Sequence, residues 1–286
     1  MRMQYHNTML SGNALTKRDA TYRCLAGRGL PRRQPVVAVR ATSSPSSVLE
    51  DSKVLVAGAT GGTGKAVVEA LFAKSLPVRA LVRDITKGGS SGLAGLGKST
   101  ELVRGDVFQF ASLPPALEGC TAVICCTGAR DVRDPLGPFN VDFQGTLNLI
   151  AAAKQKGVKQ FVLVSSIGAD DLVNPLNLFW GVLFWKKRAE EELQRSGLTY
   201  TIVRPGGLKT KLRQGETAGN VVMAAPGTFG VPPARKSGSI LRSQVADVCV
   251  AALTEPAAAN KVVEVIAEKD APVRSTAELY AGVNWF

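Results

Sequence analysis

The seven residues Gly58-Ala59-Thr60-Gly61-Gly62-Thr63-Gly64 constrain this chain more than any other stretch. They follow the apolar run Lys53–Ala57 (KVLVA) and precede an amphipathic stretch near Lys65–Lys74. Glycine at every third position between a strand and a helix meets three needs. It allows a tight turn, close approach of backbone to a diphosphate, and close packing of helix on strand. The helix that opens there offers free N–H groups and a partial positive charge to an anion. Gly58, Thr60, Gly61, Gly62, Thr63 and Gly64 are therefore candidate dinucleotide-binding residues.

Beyond the turn, short apolar runs alternate with helix-length stretches. Strands are expected at Pro77–Val82, Glu101–Arg104, Thr121–Cys126, Gln160–Val164, Thr199–Val203 and Lys261–Ile266. Helices are expected at Ala111–Leu117, at Phe139–Lys156 before Gly157, at Phe179–Arg195 before Gly197, and at Ser243–Leu253. Gly88–Gly97 reads as a surface loop. Strands that are apolar throughout and alternate with helices imply a parallel sheet covered on both faces. The expected fold is α/β, a doubly wound parallel-sheet Rossmann fold, in a single domain over residues 53–286.

In such sheets ligands bind beyond the strand C-termini, which nominates further residues. At the end of the second strand an acid suits the ribose hydroxyls of NAD, whereas an arginine suits a 2′-phosphate. Here Arg83 ends the strand, with Asp84 next to it and Lys87 nearby. NADP(H) is the expected cofactor and NAD(H) the second choice. Asp106 and Val107 follow the third strand, on the adenine side. Thr127 and Gly128 follow the fourth and would lie along the cofactor.

The basic charge is uneven. The 286 residues hold 35 Lys+Arg and 23 Asp+Glu, a net +12. Residues 1–47 carry eight basic residues against one acid, Asp19, for a net +7. The remaining 27 basic and 22 acidic residues give the rest of the chain only +5. An Arg-rich, acid-poor, Ser/Thr-containing start without an apolar core reads as an organelle transit peptide. Val39-Arg40-Ala41 resembles a chloroplast cleavage site, so residues 1–41 are expected to be a transit peptide and 42–52 a linker. The expected location is the chloroplast stroma, with membrane association open. Little net charge is left for nucleic acid, which is not an expected partner. No apolar stretch approaches the ~20 residues of a membrane-spanning helix, so no integral membrane segment is expected. The one histidine, His6, precedes the folded segment, which excludes Ser-His pairs, Cys-His pairs and His-ligated metal from it. No metal is expected. Cys120, Cys125, Cys126 and Cys249 sit among apolar residues without a CxxC spacing and are expected as buried small hydrophobes.

The motifs GATGGTG, LVRD, GDV, VLVSSIGA, KKRAEEEL and TYTIVRPGG together resemble the short-chain dehydrogenase/reductase superfamily. The resemblance is to its atypical, NAD(P)H-binding, NmrA-like branch. Over Asn177–Leu208 the chain is similar to a plastid group within that branch, typified by the dehydrogenase-like subunit of the inner-envelope import translocon. The resemblance implies one Rossmann domain, NADP(H) binding and a plastid location.

Ordinary members of the superfamily use Tyr-x-x-x-Lys with a serine. The tyrosine exchanges a proton with the substrate carbonyl, and the lysine lowers its pKa. The tyrosines here are Tyr5, Tyr22, Tyr200 and Tyr280, and none has a lysine four residues on. Aligning the Ala-Glu-Glu of the helix places Phe184 at the tyrosine position and Arg188 at the lysine position. Ser165 and Ser166, after the fifth strand, remain as catalytic candidates. The expectation is an NADP(H)-binding plastid protein, a redox-sensing or assembly/scaffold factor with little or no ordinary dehydrogenase activity. The alternative is an NADPH-dependent oxidoreductase of a small plastid metabolite. The uncharged Leu176–Trp185 (LNLFWGVLFW) admits two readings. It is the buried first half of a helix, or an exposed patch that docks a thylakoid or envelope membrane surface or a partner protein. Glu190-Glu191-Glu192 behind it is expected to be a solvated face.

Overall fold

The computed structural model describes residues 53–283 apart from 89–91, 94, 96–98 and 130. The expected transit peptide and linker lie outside the described residues. Alternation of side chains along each strand builds the core in two layers. Within β1 (Lys53–Ala57), Val54 and Val56 face one layer and Leu55 and Ala57 the other. The first layer holds Val67, Val68 and Leu71 of α1 (Gly62–Ala73). The second receives side chains from the helices between β3 and β6. Strands β2 (Val78–Val82), β3 (Thr100–Arg104) and β4 (Cys120–Cys125) follow, with short helices α2 (Ile85–Gly88) and α3 (Leu113–Ala116) between them. Then come α4 (Gly145–Gln155), β5 (Gln160–Val164), α5 (Val182–Arg195) and β6 (Thr199–Pro205). The C-terminal part adds β7 (Gly207–Lys209), β8 (Asn220–Ala224), β9 (Ser239–Leu241), α6 (Arg242–Ala251), β10 (Lys261–Glu268) and α7 (Thr276–Gly282). Val245, Val248 and Cys249 of α6 complete the layer of α1. Leu149 of α4 and Leu193 of α5 lie in the opposite layer.

The sheet order is β3-β2-β1-β4-β5-β6-β10-β9-β7, with β8 also on β10. The seven strands from β3 to β10 are parallel. The doubly wound Rossmann fold is therefore present. Order reverses between β1 and β4, which opens a crevice at their C-terminal ends. Strands β7, β8 and β9 and helix α7 were not legible in the sequence. Strands β8 and β9 run antiparallel to β10.

Three expectations need correction. The helix expected from Phe179 begins only at Val182, after a 3-10 turn at Pro175–Leu178. Trp180 and Gly181 take left-handed backbone angles (φ 58° and 70°), which break the helical run. Asn177 then caps the helix start by accepting from the N–H groups of Leu183 and Phe184. Half of Leu176–Trp185 is exposed, Leu178 at 85%, and only Leu183 is buried, so the buried-helix reading falls. Secondly, the expected helix Phe139–Lys156 divides into a π-helical turn, Pro138–Gln144, and α4. Thirdly, Glu190 is fully buried rather than solvated. Arg204 holds it through two hydrogen bonds of 3.0 and 2.7 Å.

Candidate functional site

The Gly58–Gly64 turn joins β1 to α1 at the switch point. Gly58 has φ 76°, and a Cβ there would lie 2.7 Å from the carbonyl oxygen of Cys126, just past the neighbouring strand β4. The turn closes through Gly61 N–H donating to the Gly58 oxygen at 2.8 Å. The first turn of α1 carries no acidic residue to compete for its N–H groups. A cavity of about 650 Å³ opens over this turn and runs along the strand ends. Its size is that of a cofactor pocket.

The structure brings almost all of the nominated residues to that one cleft. Gly58, Thr60, Gly61, Gly62, Thr63, Arg83, Asp106, Val107, Thr127 and Gly128 line it, as do Ser165 and Ser166. Gly64 does not. It is buried beneath the turn, where a Cβ would lie 2.2 Å from the Gly58 oxygen, so its part is to let α1 pack on the strand. Asp84 is also absent from the wall. Its carboxylate accepts from the N–H of Thr86 at 2.9 Å and so helps cap α2, while Arg83 stays exposed at the cleft edge. Beyond β3, Asn148 of α4 donates to the Val107 carbonyl at 2.8 Å. Asp106 accepts from Phe108 N–H at 3.0 Å. Both bonds hold the loop after β3 in shape.

The basic residue that α5 sends into the cleft is Lys186. Arg188 is exposed and pairs with Glu191 at 2.9 Å, and neither it nor Phe184 lines the cleft. The alignment that placed Phe184 and Arg188 at the Tyr and Lys positions is thus two residues out of step with the helix. Four residues before Lys186 stands Val182. The missed signal was helical spacing, since Leu183, Lys186, Glu190 and Leu193 recur on one face. Lys186 donates to Asp142 at 2.6 Å. Asp142 is buried on the π-turn and also accepts from Ala129 N–H at 3.1 Å. Nothing in the sequence marked it, because a π-turn shifts which side chains face inward. Burial pulls the Lys186 ammonium pKa down, but the Asp142 carboxylate outweighs this and holds it above the ordinary lysine value.

Ser165 directly follows β5, its hydroxyl buried and without a hydrogen-bond partner among the described residues. It borders a hollow of about 10 Å³ shared with Thr127, Asp142, Thr146 and Lys186. Ser166 turns its hydroxyl to the Ile167 carbonyl at 3.2 Å. The residues suit a dinucleotide: a glycine turn under a helix start, an exposed arginine at the second strand end, and an ammonium near the β5 serines. No tyrosine or histidine is among the described residues that line the cleft.

Comparison with known proteins agrees with this geometry. The chain is 42% identical over 249 residues to the chloroplastic protein At2g34460 of Arabidopsis thaliana, covering 83% of this chain and 85% of that one. It is 36% identical over 263 residues to the chloroplastic protein TIC 62 of the same plant, covering 85% of this chain but only 40% of TIC 62. Among solved structures, a Bacillus halodurans protein of the NAD-dependent epimerase/dehydratase type superposes with a TM-score of 0.68 at 27% identity. That match covers 80% of this chain and 99% of the other. The NAD(P)H-binding family pattern spans residues 58–256. The chain belongs to this family of NAD(P)H-binding proteins.

Proposed function

We propose that the protein is a plastid NADPH-binding factor in which the dinucleotide serves mainly as a bound, regulatory ligand. The observation that carries this reading is Val182. One helical turn before the cleft lysine, where a reductase of this superfamily needs a hydroxyl, the chain offers an isopropyl group. Hydride transfer to a carbonyl leaves an alkoxide, and a positioned acid contributes ~10²–10⁴-fold. Preference for NADPH over NADH rests on Arg83 at the cleft edge, with Asp84 engaged at the start of α2. The plastid location rests on the basic leader and on the chloroplastic relatives. N-terminal sequencing of the native protein is expected to start within a few residues of Thr42. The exposed stretch Leu176–Trp185 supports docking to a membrane surface or partner protein.

A second reading, an NADPH-dependent reductase, is favoured by Lys186. Its ammonium lines the cleft beside Ser165 and is a proton source that the sequence did not suggest. Titration with NADPH and NADH, followed by NADPH oxidation over a panel of carbonyl compounds, separates the two. Tight binding with negligible oxidation supports the first reading. Rapid oxidation of any carbonyl replaces it with the second.

A further inference from the structure

Among the described residues, three basic side chains line the cleft: Arg83, Lys186 and Arg242. Lys186 is neutralised by Asp142. Arg242 is not neutralised by anything described. It opens α6, far in sequence from the glycine turn, yet its side chain lies against that turn. A Cβ added to Gly62 would sit 2.7 Å from Arg242 Nε and 2.9 Å from Cδ. Gly62 is the first residue of α1, so the guanidinium lies beside the positive end of that helix.

The hydrogen bonds of Arg242 are incomplete. Nη1 donates to the Thr210 hydroxyl at 2.9 Å and to the Leu208 carbonyl at 3.3 Å. Nε is buried and has no partner among the described residues. Among the described residues no carboxylate lies within ion-pair distance of the group. A half-buried cation beside a helix start, with no anion paired to it, carries both a desolvation cost and a repulsion. An anion seated between them relieves both. The sequence permits the approach only because residue 62 has no side chain.

We infer that Arg242 is the second half of the diphosphate site, holding the phosphates together with the N–H groups at the start of α1. Arg242 also bonds β7 and the residue after it, so the bound diphosphate ties the C-terminal strands to the glycine turn. This inference rests on the proposal that the cleft binds a dinucleotide. The guanidinium fork suits phosphate oxygens, which it can bond in pairs.

The test uses the full chain and calorimetric titration with two ligands. NADPH carries the diphosphate bridge. Adenosine 2′-phosphate keeps the contact expected of Arg83 but lacks the bridge. Arg242→Ala is expected to weaken NADPH roughly tenfold or more and to leave adenosine 2′-phosphate unchanged. Arg242→Lys should recover part of the loss. Gly62→Ala, which pushes the guanidinium aside, should weaken NADPH in the same direction. Should Arg242→Ala fail to fold, Arg242→Gln removes the charge while keeping a donor for Thr210, and the same loss is expected. Wild-type NADPH affinity in these Arg242 variants, or equal weakening of both ligands, would overturn the inference alone. A wild-type chain that binds neither ligand would overturn the proposed function and this inference with it.

Discussion

Lys186 of α5 donates to the buried carboxylate of Asp142 on the π-turn, with 2.6 Å between Nζ and Oδ1. The pair ties α5 to the π-turn that packs against it. Removing one member strands the other, which typically costs about 3–5 kcal/mol. We predict that Lys186→Met lowers the unfolding free energy by about that much. Adding Asp142→Leu should restore most of it. Urea denaturation of both single variants and the double variant measures the coupling. Additive losses would show that the two groups do not depend on each other. Any carbonyl turnover found in the wild type should fall with Lys186→Met and survive Ser166→Ala, whose hydroxyl is spent on a neighbouring carbonyl.

Arg83 is exposed at the end of β2, so its loss should not disturb the fold. A charge-assisted contact to phosphate contributes about 1.5–3 kcal/mol. Arg83→Ala is expected to weaken NADPH roughly tenfold or more while leaving NADH nearly unchanged. Equal loss for both cofactors in a binding titration would assign Arg83 a structural role.

Arg204 is 2% exposed and is shared by three carboxylates. Glu190 takes it at 2.7 Å, Asp170 at 3.2 Å and Glu264 at 3.6 Å. Burial works against the charge, yet these partners hold the guanidinium pKa above its ordinary value. Arg204→Met would leave Glu264 buried without its cation and Glu190 with only Lys187, at 4.0 Å. A loss of about 3–5 kcal/mol is expected, seen as a lower melting temperature. Because Glu190 lies one turn beyond Lys186, the same change should also loosen the cleft end of α5.

Burial pushes the Cys120 thiol up to about 11 and the Cys249 thiol up to about 12, and raises Cys125 and Cys126 as well. Thiolates react, thiols do not. These four positions should therefore resist iodoacetamide near pH 8 in the native protein and label after denaturation, as read by mass spectrometry. The sign for stability follows from the raised values. The contribution is complete below the ordinary thiol range near ~8.5 and declines as pH rises towards the folded values. Rapid native labelling of Cys120 or Cys249 would contradict the burial.

Local patterns carried the strand ends of this fold. The apolar runs at 53–57, 160–164 and 261–266 and the three-residue glycine spacing at 58, 61 and 64 determined a parallel sheet and its first strand–helix turn. Arg83, Asp106 and Thr127 could be named because each lies within two residues of a strand's C-terminal end. Contacts between elements distant in the chain were decided only by the tertiary structure. Lys186 meets Asp142 across 44 residues, and Arg242 lies on Gly62 across 180. Helix register decided that Lys186, not Arg188, enters the cleft. The left-handed residues Trp180 and Gly181 break the helix before it, and Phe179, Trp180 and Phe184 are exposed there. A single sequence records periodicity and turn chemistry, which are local. Which charge stands opposite which is set by packing, and packing depends on the whole fold.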